Sequence, residues 1–295
     1  MTIRKKGQRQ SRFTRHKRTR QVILQPRDRD IIVAVFQSRF LTREQIQMMF
    51  DIPCVTIVNR LLRRLFDAKY LDRRFLPLLQ GSSQAMYFLG RRGMPIVCER
   101  LNLDPDEVVH KCRRDQALRT DQLEHERLIN DFRIHLETAA SESSVSVERF
   151  LHASECKFKF GKSNGSKEVI YYLKPDGYFE LKSYRSLSAY FLEIDRSTSG
   201  LRKLSTKFKT YRTFRKEGVF DKLLNQSCYT VLVVTPSSQR ALNLVKLAEK
   251  LHCDFFYFTS QSLLTEKGPL GGIWIKPEST TPGPLPSINL RRTEK

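Results

Sequence analysis

The chain lacks any apolar run approaching the roughly 20 residues that a membrane-spanning helix needs, so no membrane partner is expected. No apolar stretch follows its basic beginning either, which argues against a secretory signal. Cys54, Cys98, Cys112, Cys156, Cys228 and Cys253 form no CxxC pair and no regular spacing. They read as reduced thiols in a cytoplasm, not as a disulfide framework. His110 and Cys112 have no second ligand pair nearby, which argues against a zinc site. No glycine-rich phosphate loop is present, so an ATPase or nucleotide-binding regulator has no support.

What the chain has in excess is positive charge. Lys and Arg total 53 against 31 Asp and Glu, a formal net charge of +22 over 295 residues. Such an imbalance says little about fold but steers a protein onto phosphate backbones; a membrane surface or an acidic protein is the weaker alternative. The length suits two domains, and 40% hydrophobic residues suffice for their cores. Residues 1–20 hold nine Lys or Arg and no acid, so 1–24 is expected to be a disordered basic tail.

From Pro26-Arg27-Asp28 the pattern turns helical, with Ile31, Ile32, Val35 and Phe36 on one face. Thr42 followed by Gln45 predicts a capping box opening a second short helix with Ile46, Met49 and Phe50. A third helix is predicted over about 54–68, with Ile57, Val58, Leu61, Leu62 and Leu65 as its buried stripe. Tyr70–Phe75 and Ala85–Leu89 read as two strands around a Gly81-Ser82-Ser83 turn, and Met94–Leu101 as one more helix. Three helices, the last one basic, then a β-hairpin is the order of a winged helix-turn-helix, assigned to 25–101. A major groove admits one helix whose outer face offers donors to phosphates and base edges. Arg60, Arg63 and Arg64 are the candidate phosphate contacts, Thr56 and Asn59 the base readers, and Arg73 and Arg74 the charge on the wing. The competing reading is a solvated basic face on a protein-interaction module.

Residues 102–120 are polar and mixed and read as a linker, helical in part. The second domain is assigned to 121–277. Residues 121–140 carry Leu123, Leu128, Ile129, Phe132, Leu136 and Ala140 near helical period. Strands are predicted at 145–152, 154–160, 168–174, 178–181 and 189–194, with a hairpin turn at Asn164-Gly165. A helix at about 200–216, a strand at 229–234, a helix through Leu251 and a strand at 255–258 complete an α/β domain with a mixed central sheet. Beyond Trp274 the chain becomes rich in Pro, Ser and Thr, and 278–295 is expected to be a flexible tail.

Three acids stand out in that domain. Asp176 follows a strand in Lys174-Pro175-Asp176-Gly177, and Glu193 and Asp195 lie on one face of the apolar strand Phe191-Leu192-Glu193-Ile194-Asp195. A hairpin-sized interval lets all three converge. Charges inside an apolar strand are costly unless paired or bound to a cation, and hard oxygen ligands suit Mg²⁺. Lys203, Lys207 and Arg212 lie on the basic helix that follows, where they either hold DNA phosphates or merely solvate the helix. His125 on the long helix either reaches the acids or is a structural histidine.

Pro175-Asp176 with Glu193-Ile194-Asp195 resembles the PD-(D/E)xK phosphodiesterase signature, which implies a restriction-endonuclease-like fold. The family's third position is normally Lys, and here it is Asp195; Lys203 or Lys207 is the candidate replacement. The whole chain resembles the replication-relaxation family of plasmids and integrative elements. The resembling stretches are Phe40-Leu41-Thr42 with Gln45-Ile46, Arg60-Leu61-Leu62-Arg63-Arg64-Leu65, Tyr70-Leu71, Leu123-Glu124-His125, Pro175-Asp176-Gly177, Phe191–Thr198 and Val234-Thr235-Pro236. This resemblance implies a role in replication or DNA relaxation of a mobile element. The expected partner is DNA, duplex foremost, for a cytoplasmic protein associated with plasmid or nucleoid; a homodimer and replication or conjugation machinery are further candidate partners. Tyrosine transesterification would need a His-hydrophobic-His triplet, and none occurs among the six histidines; Tyr171, Tyr172 and Tyr178 read as packing residues. Three readings stand: a Mg²⁺-dependent nicking protein, the same architecture with an inactive nuclease fold, and a transcriptional regulator.

Overall fold

A computed structural model of the chain describes residues 13–16, 22–75, 84–164, 167–184, 186–224, 228–279 and 281–285. The chain divides into two compact units, Met1–Arg127 and Leu128–Lys295.

The first unit contains α1 (Pro26–Gln37), β1 (Leu41–Thr42), α2 (Arg43–Met49), α3 (Val55–Asp67), β2 (Leu71–Phe75), β3 (Ala85–Leu89), α4 (Met94–Leu101), α5 (Pro105–Gln116) and the start of α6 (Thr120–Ser141). β1, β3 and β2 form a small antiparallel sheet in that order. Local chemistry sets the helix starts. The Gln25 N–H donates to the Asp28 carboxylate at 2.8 Å, and Pro26 pre-sets the first turn of α1. The predicted capping box of α2 is present: the Gln45 N–H donates to the Thr42 hydroxyl at 3.2 Å, and the Thr42 N–H to the Gln45 side chain at 2.9 Å. Val58, Leu61, Leu62 and Leu65 are buried beneath α3, but Ile57 is exposed, because it falls at the rim of the apolar stripe in the helix's first turn. At Gly90 a Cβ would stand 2.5 Å from the Lys69 carbonyl oxygen, so only glycine lets β3 leave past β2. The turn at Gly81-Ser82-Ser83 lies outside the described residues.

The stretch read as a linker, helical in part, contains the 12-residue α5, capped by Asp104, whose carboxylate accepts from the Asp106 N–H at 2.8 Å. Val108 and Cys112 supply its buried stripe, too short an apolar signal to stand out among so many charges. Residues 13–16, placed by composition in a disordered tail, are anchored. Phe13 packs edge-on to Phe75 with ring centroids 5.1 Å apart, and the Arg15 guanidinium lies 4.0 Å above the Phe66 ring while pairing with Asp72. Those partners come from α3 and β2, which tail composition cannot reveal.

The second unit continues α6 and adds β4 (Ser146–His152), β5 (Phe158–Asn164), β6 (Lys167–Leu173), β7 (Gly177–Ser183), β8 (Ser186–Ile194), α7 (Leu201–Lys216), α8 (Val219–Leu224), β9 (Thr230–Thr235), α9 (Ser238–Lys250), β10 (Phe256–Ser260) and α10 (Gln261–Lys267). The central sheet has the order β10-β9-β8-β7-β4; β8, β9 and β10 are parallel, and β8, β7 and β4 antiparallel. Alternation along β8 sends Ala189 and Phe191 into one core with Phe208, Tyr211 and Phe214 of α7 and Leu244 of α9. Tyr190, Leu192 and Ile194 enter the opposite core with Ile129, Phe132 and Leu136 of α6. The sheet is thus covered on both faces.

β5 and β6 pair only with each other, as a separate two-stranded ribbon. β5 starts later than the expected residue 154 because His152–Cys156 closes a turn, with the Glu155 N–H donating to the His152 carbonyl at 2.8 Å. Gly165 of the predicted turn lies outside the described residues. Leu201 is exposed at the start of α7. The chain beyond Trp274 does not simply fray: Trp274 and Gly283 exchange backbone hydrogen bonds at 3.0 and 2.8 Å, and Leu285 is buried.

Candidate functional site

β8 stands where the sheet changes from parallel to antiparallel. The acids lie at the carboxyl end of β8. The Asp176 N–H donates to the Leu192 carbonyl at 3.0 Å, and its carboxylate accepts from the Ile194 N–H at 2.8 Å, which staples the β6–β7 connection to the end of β8. Glu193, buried at the end of β8, accepts from the Tyr211 hydroxyl at 2.5 Å on one oxygen and from Lys207 Nζ on the other.

Lys207 and Tyr211 are four residues apart on α7 and therefore share one helix face. Burial pushes the Glu193 carboxyl up to about 7; the Lys207 ammonium opposes this, and the nearby Asp176 charge adds to it. Burial works against the charge on Lys207, but Glu193 and Asp176 outweigh it and hold its pKa above the usual lysine value. Burial, and then the Glu193 charge, push the Tyr211 phenol well above its ordinary range.

Asp195 does not join this group. Its carboxylate is taken by Arg240 of α9, with Nε at 2.7 Å and Nη2 at 3.5 Å, and it also accepts from the Ser197 N–H at 3.2 Å. The expected convergence of Asp176, Glu193 and Asp195 on one ion is corrected accordingly. Both Glu193 oxygens and both Asp195 oxygens already face protein donors. Among the described residues no group of three or more His, Cys, Asp or Glu side chains is placed to hold a metal ion. The donor set as arranged does not fit a three-carboxylate Mg²⁺ centre.

Of the two lysines named as candidate replacements, Lys207 of α7 pairs with Glu193, while Lys203 is exposed on the same helix. Arg212 donates to the Leu251 carbonyl at 2.7 Å, at the end of α9. His125 lies on α6 within the first unit, whereas the carboxylates belong to the second. Sequence reasoning missed Arg240 and the role of Tyr211. The spacing of Lys207 and Tyr211 was the available signal for the second; Arg240 had none, being 45 residues from its partner.

In the first unit, Thr56, Asn59 and Arg60 are exposed on α3, beside the exposed Val55 and Ile57. The other candidate contacts are held by the protein itself. Arg63 donates to Asp67 at 2.9 Å, and Arg64 to both oxygens of the buried Asp28 at 2.5 Å. The Arg73 guanidinium lies 3.9 Å above Phe66, and Arg74 donates to the Leu118 carbonyl at 2.7 Å.

The profile of the replication-relaxation family matches residues 34–225, well over half of the chain. The chain belongs to the replication-relaxation family. The matched region runs from α1 through α8 and so includes α3, Asp176, Glu193 and Lys207. Among solved structures, the restriction endonuclease FokI is similar at 13% identity and a TM-score of 0.28, over 82% of this chain. The chain spans 43% of the FokI chain. No curated protein matches it. Among the described residues no helix is long and apolar enough to cross a membrane.

Proposed function

We propose that this replication-relaxation protein binds duplex DNA through a winged-helix first unit and serves the replication of a plasmid or integrative element. The second unit is then a restriction-endonuclease-like domain whose acids form a closed ionic network and do not cut DNA. Support for the DNA-reading role comes from α3. Its first two turns expose two apolar side chains, a threonine, an asparagine and an arginine, the chemistry that meets thymine methyls, base edges and phosphates in a major groove. The net charge of +22 favours the same partner.

The observation that carries the non-cutting reading is the engagement of the acids: Glu193 is bound by Lys207 and Tyr211, and Asp195 by Arg240. A second reading, Mg²⁺-dependent nicking, is favoured by one feature. Two carboxylates and a lysine of the residue types found in PD-(D/E)xK enzymes come together at Asp176, Glu193 and Lys207, and perturbed ionisation is characteristic of reactive sites.

Incubating supercoiled plasmid with the purified chain and Mg²⁺ or Mn²⁺, beside Asp176→Ala and Glu193→Ala, separates the two. Intact plasmid with tight, salt-sensitive binding by all three proteins is expected. Metal-dependent nicking that disappears in both variants would overturn the non-cutting reading and make the second one correct.

A further inference from the structure

The β5–β6 ribbon has two unlike faces. In its register Phe158 opposes Leu173 and Phe160 opposes Tyr171, and this face packs on α7, with Phe158 and Phe160 each 5.2 Å from the Phe214 ring centroid. The opposite face carries Lys159 across from Tyr172 and Gly161 across from Ile170, with Lys157 and Lys174 continuing it at the strand ends. Those four long side chains and Ile170 are all exposed, Tyr172 by 63%. Lys157, Lys159 and Lys174 have no ion-pair partner among the described residues. By contrast Lys162, on the inner face, pairs with Glu217 at 3.8 Å.

We infer that this outer face binds single-stranded DNA, with a base stacked on Tyr172 and the flanking phosphates held by Lys157, Lys159 and Lys174. The inference rests on the DNA-binding reading above but not on whether the acids cut. Three observations favour this occupant. The face is backed by aromatic packing on α7, which holds the strand that carries the ring. Three ammonium groups with no acid opposite them complement a phosphate chain. An exposed ring among cations suits an unstacked base, which a duplex keeps covered, and stacking with a charged track is how single strands are held without sequence preference.

The strand also leads somewhere. From Tyr172 near the end of β6 the chain continues through the exposed Lys174 and the buried Pro175 to Asp176. The proposed stacking residue is thus four residues along the chain from the acid network.

The test uses the full chain in EDTA, with a fluorescein-labelled single strand of mixed sequence and a hairpin duplex of the same sequence, read by anisotropy. Tyr172→Ala is expected to weaken single-strand binding by about 5- to 150-fold, the span for losing one base–aromatic stack, and to leave duplex binding unchanged. Tyr172→Phe should retain wild-type affinity for the single strand. Ultraviolet crosslinking of a 5-bromodeoxyuridine strand should map to Tyr172 by mass spectrometry. If Tyr172→Ala unfolds the domain, Lys159→Ala with Lys174→Ala replaces it, expected to weaken single-strand binding and reduce its salt slope by about 1.4. Unchanged single-strand affinity in a folded Tyr172→Ala overturns the inference, as does equal loss on both probes. If single-strand affinity is unchanged in Tyr172→Ala while duplex affinity falls in Arg60→Ala, the DNA-binding reading survives without the ribbon. If the wild-type chain binds neither probe, that reading fails too.

Discussion

Arg60 and Arg64 sit one helical turn apart on α3, and both have the chemistry of a phosphate contact, yet their alanine variants should behave differently. Arg64 Nη2 donates to both oxygens of Asp28, which is 1% exposed, and among the described residues the other donor to that carboxylate is the Gln25 N–H at 2.8 Å. Removing the guanidinium strands a buried carboxylate. Breaking a fully buried pair costs about 3–5 kcal/mol. The Arg64 side chain is 31% exposed, so water can partly replace it, and a loss of about 2–3 kcal/mol is expected. For a unit of this size that lowers Tm by on the order of 10 °C. Arg60 is exposed, and its removal should change stability by less than about 0.5 kcal/mol.

DNA binding should reverse the order. Arg60→Ala should weaken duplex affinity and reduce the slope of log K against log salt by about 0.9, the value of one phosphate contact. Arg64→Ala, measured well below its melting temperature, should keep the wild-type slope. Thermal melting followed by circular dichroism, paired with anisotropy titrations at several salt concentrations, reads both quantities. An Arg64→Ala protein that melts with wild type and loses one unit of slope would refute the reasoning and return Arg64 to the DNA-facing set.

Two further outcomes follow from packing and ionisation. Glu193 has its folded pKa raised to about 7 from an ordinary 4.5, so its contribution to stability is complete below about pH 4.5 and is lost as pH rises toward 7. The wild-type denaturation midpoint should therefore fall relative to that of Glu193→Gln between pH 4.5 and 7.5; parallel curves would contradict the buried placement of this carboxyl. Gly90→Ala forces a Cβ to 2.5 Å from the Lys69 carbonyl oxygen and 2.9 Å from Leu71 backbone atoms. A cost of about 1–3 kcal/mol is expected in the first unit, with the second unit's melting unchanged; wild-type melting of both would show that the strand exit has room.

The elements with periodic apolar spacing were legible without coordinates: α1, α3, α6, α9 and the runs that became β8, β9 and β10 all follow from which residues recur at 3.6 or at 2. The capping box at Thr42 and Gln45 was equally local, because both hydrogen bonds join residues three apart. The acids at 176, 193 and 195 could be singled out because a charge in an apolar strand is conspicuous in one dimension.

Which atoms satisfy those charges is another matter, since a buried charge is answered by whatever the fold brings near it. Arg240 reaches Asp195 across 45 residues, Arg64 reaches Asp28 across 36, and Arg15 settles over Phe66. Periodicity determined the layers and placed the carboxylates at the end of β8, because burial of one face is a property of a single segment. Only the tertiary structure decided that Glu193 pairs with Lys207 and Tyr211, that Asp195 turns to Arg240, and that most of the arginines predicted to face DNA are bound within the protein. Ion pairs and hydrogen bonds act over a few ångströms of space and carry no signature along the chain.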